Sequence, residues 1–144
     1  MKFKVMSEKQ IRNITDNFVC PIIKGYPEIV SPLTYFARLE SNSLLGYTSY
    51  SDMGEFYFVG NTFILPEARG KGVYSELLTH RNRCLPDKPK ITLVNPINNT
   101  NPEVLYAQVR KQGGVEVLCY SDVEEIMSQE MFDTIKGLPV FIYR

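Results

Sequence analysis

The segment from Glu55 to Ser75 constrains what this chain can fold into more than any other. Glu55 to Leu65 is rich in Phe, Tyr, Val and Ile, side chains that suit a pleated, half-buried strand. Gly60 inside that run predicts a bulge or a close backbone approach. Pro66 ends the strand, because it has no N–H to give to a ladder. The chain then reads Leu65-Pro66-Glu67-Ala68-Arg69-Gly70-Lys71-Gly72-Val73-Tyr74-Ser75 and enters a helical pattern. A strand that feeds a glycine loop and then a helix aims backbone N–H groups and the positive end of a helix at one spot. Such a spot suits phosphate, and Arg69 and Lys71 add charge to it.

Two nucleotide loops fit this segment poorly. A P-loop needs G-x-x-x-x-G-K-S/T, but Leu65 stands at its first glycine and Gly72 follows Lys71. The dinucleotide fingerprint G-x-G-x-x-G would run from Gly70 to Ser75, with serine at its third glycine. It also expects an acidic residue about 20 positions on, where Ile91 to Val94 leads into Asn95-Pro96 instead. A tight turn carrying two solvated cations is the plain alternative.

The flanking sequence reads as mixed α/β. Lys2 to Met6 alternates like a short strand. Ser7 to Gln10 spells a capping box, and Ile11, Ile14 and Phe18 predict a helix from Glu8 to Val19. Pro21, Gly25, Pro27 and Pro32 make the next segment a loop or a short irregular helix. Thr34 to Leu39 and Leu44 to Tyr50 read as strands around a turn at Glu40 to Ser43. With a second turn at Ser51 to Gly54 and the strand at 55–65, they form an antiparallel meander. Gly72 to Leu85 is the next helix, with Val73, Leu77, Leu78, Cys84 and Leu85 on its apolar side. Ile91 to Val94 is a buried strand. Asn101 and Pro102 suit the start of a helix that ends at Gly113-Gly114. Val115 to Tyr120 reads as a strand. A second capping box at Ser121 to Glu124, with Val123, Ile126, Met127, Met131 and Ile135 behind it, predicts a helix from Asp122 to Lys136. Val140 to Tyr143 is a last strand. The whole, 1–144, is one domain.

Composition narrows the function. Lys plus Arg and Asp plus Glu each number 16, so the basic excess of a nucleic-acid surface is missing and none is expected as partner. No apolar run nears the roughly 18 residues of a membrane span, and the start of the chain lacks the apolar core of a signal peptide. A cytoplasmic protein is expected. Cys20, Cys84 and Cys119 are far apart and read as small core residues, and no metal site is expected. His80 lies on the apolar side of its helix and reads as half-buried and hydrogen-bonded.

Strand order and loop together resemble the GNAT superfamily of acyl-CoA-dependent N-acetyltransferases. The similarity is strongest from Leu44 to Gly114. Arg69-Gly70-Lys71-Gly72-Val73-Tyr74 resembles the family's pyrophosphate loop, R/Q-x-x-G-x-G/A, except at its last position. Leu45-Gly46-Tyr47 resembles its strand before the second turn, and Ile91-Thr92-Leu93-Val94-Asn95 its next strand. The resemblance implies an α/β (α+β) fold with a mixed, mostly antiparallel sheet. Helices cover both faces, and the sheet splays between the strands at 55–65 and 91–94. It implies acetyl-CoA as cofactor, with pantetheine beside Phe63, Ile64 and Leu65. The pyrophosphate then lies on Arg69, Gly70, Lys71, Gly72, Val73, Tyr74 and Ser75. Asn98 or Asn101 matches the family's cofactor-contacting asparagine; Asn101 also suits a helix cap.

The reaction implied is attack of a primary amine, on a small molecule or a protein, on the thioester. A backbone N–H stabilises the oxyanion and an acid protonates the thiolate. The alternative is a CoA-binding interaction protein that keeps the fold without catalysis. A homodimer is compatible with either. Three departures stand out. Tyr74 replaces Gly or Ala. Val109 occupies the position of the usual thiolate-protonating tyrosine, with Tyr106 one turn earlier as a substitute. A helix at 122–136 replaces a hairpin loop. Glu55 is the candidate base, or a solvated strand end. Locally the charge is uneven: a net +3 over Pro66 to Lys90 and −6 over Val115 to Ile135. The first suits CoA phosphates; the second suits a cationic acceptor or a solvated helix face.

Overall fold

A computed structural model describes residues 2–16, 18, 33–94 and 102–144. Seven strands form one sheet in the order β1-β2-β3-β4-β5-β7-β6. They are β1 (Phe3–Ser7), β2 (Thr34–Glu40), β3 (Ser43–Asp52), β4 (Tyr57–Ile64), β5 (Lys90–Leu93), β6 (Val115–Glu116) and β7 (Val140–Tyr143). The helices are α1 (Glu8–Ile14), α2 (Val73–Cys84), α3 (Pro102–Lys111) and α4 (Gln129–Ile135). Every neighbouring pair is antiparallel except β4 and β5.

Strand alternation gives the sheet two buried faces. Phe36, Tyr57, Val59, Phe141 and Tyr143 point to one face, where they pack with Leu105, Tyr106 and Val109 of α3. The helix α2 lies on that face too, its His80 ring edge-on to Phe36. Phe58, Ile91, Val140 and Ile142 point to the other face and pack with Val123, Met127, Phe132 and Ile135. Tyr35, Ala37 and Tyr47 continue that face beneath Ile11 of α1.

The meander, the capping box at Ser7 and the strand at 140–143 match their expectations. Ser7 Oγ accepts from the Gln10 N–H at 3.2 Å, and the Gln10 side chain accepts from the Ser7 N–H at 2.9 Å. The turn between β2 and β3 places Ser41 and Asn42 at φ 49° and 67°, as a two-residue hairpin requires. The helix α3 ends in a Schellman motif: Gly114 N–H reaches Val109 O at 2.9 Å and Gly113 N–H reaches Arg110 O at 3.0 Å.

Several expectations are corrected. The first helix stops at Ile14, because Thr15 is extended at φ −150°, a conformation that suits its branched Cβ. Residues 20–32 lie outside the described residues. The strand β6 keeps only Val115 and Glu116 of its expected length. No continuous helix spans 122–136. Asp122 Oδ2 instead accepts from the Leu118 and Cys119 N–H groups at 2.9 and 3.3 Å, which closes a short 3-10 turn over Tyr120–Asp122. Ser128, not Ser121, caps the helix that follows, accepting from Met131 N–H at 3.1 Å. The apolar spacing still marks burial: Val123, Met127 and Ile135 are buried on both sides of the break. Cys84 and Cys119 are exposed rather than core residues; Cys84 ends α2 beside His80, its Sγ 3.6 Å from Nε2. No described helix is long and apolar enough to cross a membrane.

Candidate functional site

The strands β4 and β5 pair only at Tyr57↔Lys90 and Phe58↔Ile91. Beyond Phe58, β4 runs on through Ile64 with β3 on one side and no ladder to β5 on the other. The two strands therefore form a fork. A bulge lies beside its opening: the register of β3 on β4 shifts between Tyr47 and Ser49, opposite the segment from Gly60 to Phe63. Asn61 takes φ 48° there and donates through Nδ2 to the Tyr35 hydroxyl at 2.8 Å. The expected irregularity is thus present, with Asn61 rather than Gly60 in the left-handed conformation. Ser49 Oγ donates to Gly60 O at 2.8 Å and pins the other side of the bulge.

Gly46 fixes how β3 meets the open part of β4. A Cβ at Gly46 would lie 2.8 Å from the Phe63 carbonyl oxygen, which backbone cannot yield. The phrase Leu45-Gly46-Tyr47 thus has a packing cause. Ile64 pairs with Gly46 and Leu65 N–H donates to Leu45 O at 2.9 Å, so Phe63, Ile64 and Leu65 run as fixed backbone along the fork.

At the end of β4 the chain makes one 3-10 turn, Pro66–Ala68, and then the glycine loop. Gly70 and Gly72 sit at φ 77° and 79° with no atom within 4 Å of an added Cβ. Backbone conformation, not space, demands glycine there. Gly72 is the N-cap of α2 and offers no capping side chain. The first helical N–H to be used inside α2 is that of Glu76, on Gly72 O at 3.0 Å. The amides of Val73, Tyr74 and Ser75 are thus the ones that a helix N-terminus leaves to other acceptors. Lys71 and Arg69 are exposed beside them. Arg69 folds back: its Nε donates to Ile64 O at 2.9 Å, and its guanidinium carbon lies 5.3 Å from the Phe63 ring centre. It ties the loop to the end of the fork.

Tyr74 turns into the protein. It packs on the cluster of Ile64, Ala68, Val73 and Leu77. Burial pushes its hydroxyl up to about 12, against a smaller opposing effect of Arg81. The side chain that departs from the family pattern therefore lies beneath the loop. Ser75 Oγ accepts from Gln112 Nε2 at 3.3 Å, and Thr79 Oγ1 donates to Gln112 Oε1 at 2.9 Å. These bonds lock α2 to the end of α3.

The other expected site residues are more scattered. Tyr106 lies on the inner side of α3, its ring 5.8 Å from that of Phe141. Val109 is buried. Glu55 is exposed in the turn before β4, at the paired end of β4 and β5 rather than the open end. The seven-residue step from Glu55 to Thr62 spans at most about 23 Å, shortened by the bend at Glu55 and Phe56 and by the bulge at Asn61. Asn98 and Asn101 lie outside the described residues. His80 is half-buried, stacked on Phe3 at 3.9 Å; burial, then Arg83, hold its pKa below the usual value.

The charge along 66–90 is not all at the loop. Arg81 and Lys90 are buried, and Lys88 pairs with Asp52 at 2.7 Å. Lys90 Nζ donates to the Leu85 and Lys88 carbonyls at 2.6 and 3.0 Å, closing the end of α2. The acidic segment is also partly engaged: Glu125 meets Arg144 at 3.1 Å, Asp133 meets Lys136 at 3.2 Å and Glu116 meets Arg110 at 3.8 Å.

Sequence reading missed one group. Arg81 is 2% exposed, and among the described residues no carboxylate pairs with it. Its NH1 donates to Thr48 Oγ1 at 3.1 Å and its Nε to Asn82 Oδ1 at 3.0 Å. The signal was Arg81 at the i+4 position from Leu77, on the helix's apolar face.

No protein-family model matches the sequence, and no curated protein sequence is similar to it. Solved structures are. A GNAT-family protein from Bacteroides thetaiotaomicron aligns with 99% of this chain and 86% of its own, at a TM-score of 0.65 and 12% identity. An acyl-CoA N-acyltransferase from Pseudomonas aeruginosa aligns with 99% of this chain and 98% of its own, at 0.61 and 16%. N-acetylglutamate synthase from Neisseria gonorrhoeae, complexed with coenzyme A and L-arginine, aligns with 99% of this chain and 33% of its own, at 0.62 and 13%. Over nearly its whole length, this chain has the fold of the GNAT acetyltransferases.

Proposed function

We propose that the protein is an N-acyltransferase that takes the acetyl group of acetyl-CoA and passes it to a primary amine. The fork beside the glycine loop carries this reading. β4 leaves β5 after two paired residues, and the loop that opens α2 stands at the end of the released edge. An acyl-CoA suits both parts. Its pyrophosphate is an anion for the amides of Val73, Tyr74 and Ser75 and for Arg69 and Lys71. Its pantetheine arm carries amides that can bond to the edge of β4 that faces away from β3, beside Phe63, Ile64 and Leu65; the Leu65 N–H itself is taken by Leu45 O and the Ile64 carbonyl by Arg69. Gly70 and Gly72 keep the loop free of side chains where phosphates approach.

Chemistry then needs three things. The amine loses a proton and attacks the thioester carbon. A backbone N–H on the unpaired edge of β4 meets the developing oxyanion. The C–S bond breaks and the sulfur takes a proton. Glu55, the candidate base, stands at the paired end of the fork and would reach the amine through a chain of waters. The acidic segment is not invoked for the acceptor, since Glu116, Asp122, Glu125 and Asp133 have partners of their own. Val109, buried where the resemblance implies a tyrosine, supports a second reading: a CoA-binding protein without catalysis.

Titration calorimetry with acetyl-CoA and CoA, followed by thiol release across a panel of amines, tests both. Binding with thiol release on at least one amine is expected. Binding without release on any amine would favour the second reading. No binding would reject both.

A further inference from the structure

The strand β4 is the middle one of seven, yet Gly60, Asn61, Thr62 and Phe63 are all half-exposed. Consecutive strand residues point to opposite faces, so the sheet is open there on both. Phe58 belongs to the cluster that packs with α4. Asn61 bonds to Tyr35, and Phe63 packs with Tyr35 and Tyr47 beneath α1. Both clusters lie on one face of the sheet. The extra residue of the bulge therefore returns Asn61 and Phe63 to the face of Phe58.

The opposite face is covered by α2 and α3. There Arg81 of α2 donates to Thr48 on β3 and holds its guanidinium carbon 5.6 Å from the ring centre of Tyr143 on β7. On the face of Asn61, the two clusters are separate, and the open part of the fork lies between them. This strip has Gly60 and Asn61 as its floor. Phe63, with Tyr35, Tyr47 and Phe18 behind it, forms one wall. Leu93, on the other prong of the fork, forms the second. A Cβ at Gly60 would meet one atom within 4 Å, the Thr92 hydroxyl at 3.9 Å, so no side chain crowds the strip at its floor.

The side chains along the strip carry no charge. The rings of the first wall pack on one another, with 5.7 Å between the centres of Phe18 and Tyr47 and 6.0 Å between those of Tyr47 and Phe63. An aromatic wall can hold a cation on its ring faces, but two of these rings already do. Arg12 lies 4.0 Å from the Phe18 ring centre and Arg69 lies 5.3 Å from that of Phe63. Glu8, whose charge is felt at Tyr35, pairs with Arg12 at 3.1 Å.

We propose that this strip receives the acceptor and selects an amine borne on an aromatic or aliphatic group with no second charge. This rests on the acyl-CoA reading above. The reaction is unchanged: the neutral amine nitrogen bonds to the thioester carbon, the C–S bond breaks, and the nitrogen loses one proton as the sulfur gains one. The strip adds selection. An apolar group between the rings and Leu93 leaves water at a gain. A second ammonium or a carboxylate there loses its hydration without a partner.

The test compares kcat/KM for four acceptors, by thiol release at saturating acetyl-CoA: phenethylamine, hexylamine, hexamethylenediamine and phenylalanine. The first two should exceed the last two at least about 10-fold. Leu93→Glu places a carboxylate on the second wall and should shift the ratio of hexamethylenediamine to hexylamine at least about 10-fold toward the diamine. Leu93→Gln has the same shape without the charge and should leave the ratio as in wild type. Ratios taken within one protein cancel any loss common to both amines, such as a weaker fold. Where Leu93→Glu fails to fold, the wild-type panel decides alone. Equal rates for all four acceptors, or a preference for the diamine or the amino acid, overturns the proposal. So does the same ratio in Leu93→Glu and Leu93→Gln. Acetylation of the charged acceptors alone rejects this proposal and leaves the transferase reading standing. CoA bound with no amine acetylated rejects both.

Discussion

The hydroxyls of Thr48 on β3 and Thr62 on β4 lie 2.7 Å apart, across the place where these two strands fall out of register. That bond, the Ser49 bond to Gly60 O and the Asn61 bond to Tyr35 hold β4 in its bulge from both faces of the sheet. A bulge bends a strand and increases its twist. Here it helps turn β4 away from β5 and so helps make the fork.

Asn61→Val tests this. A branched side chain is strained at φ 48°, and the Tyr35 hydroxyl loses its donor. Together these should cost about 2 to 3 kcal/mol in urea unfolding. Asn61→Gly keeps the backbone and loses only the hydrogen bond, so it should cost about 1 kcal/mol. Equal costs for the two variants would mean that the bulge is not strained for a branched residue.

Arg81 should matter little to folding. Replacing an unpaired buried charge by an apolar side chain of similar length is often neutral or stabilising. Arg81→Met should therefore change stability by less than about 1 kcal/mol, or raise it. A loss above about 3 kcal/mol would mark Arg81 as a structural member of the core.

Glu76 ties β1 and β2 to α2. Its carboxylate meets Lys2 at 2.6 Å and Arg38 at 3.3 Å. Hydrogen bonding from Lys2, opposed by burial and aided by Arg38, holds its pKa below the ordinary carboxylate range. The folded pKa is thus lower than the unfolded one. This stabilisation is fully present above the unfolded carboxylate pKa and is lost as pH falls through the folded value. The side chain is about a third exposed, so the expected effect is small, about 0.5 kcal/mol. Glu76→Gln should flatten the acid side of a stability–pH curve by that amount and leave the alkaline side unchanged. An unaltered acid slope would remove the pair from the account.

Much of this was legible in residues with strong local causes. Ser7 and Gln10 form their capping box, Gly113 and Gly114 close α3, and Gly70 and Gly72 open α2 in the conformation that only glycine adopts easily. The helix at 122–136 was misread because its apolar spacing reports burial, not continuity. Asp122 uses its carboxylate on the chain before it, and Ser128 restarts the helix. Arg81 was counted as surface charge because an arginine is rarely buried unpaired, and only the sheet order shows that it reaches from β3 to β7. Glu55 was read as a candidate base or a solvated strand end, and it stands exposed before β4, at the end of that strand away from the loop.

Glu55→Gln should therefore leave kcat and the KM for acetyl-CoA within about twofold of wild type, as expected for an exposed turn residue. A drop of about 100-fold in kcat with a lost acidic limb would restore it as the base.

The most direct test of the account is calorimetric titration of CoA into the wild-type protein and into the double variant Arg69→Glu, Lys71→Glu. Both substitutions are on the exposed loop and place negative charge where the pyrophosphate is expected. Wild type should bind CoA, and the double variant should lose at least about 100-fold in affinity while unfolding at a similar urea concentration. Equal affinity in the two proteins, or no binding by wild type, would contradict the assignment of the loop.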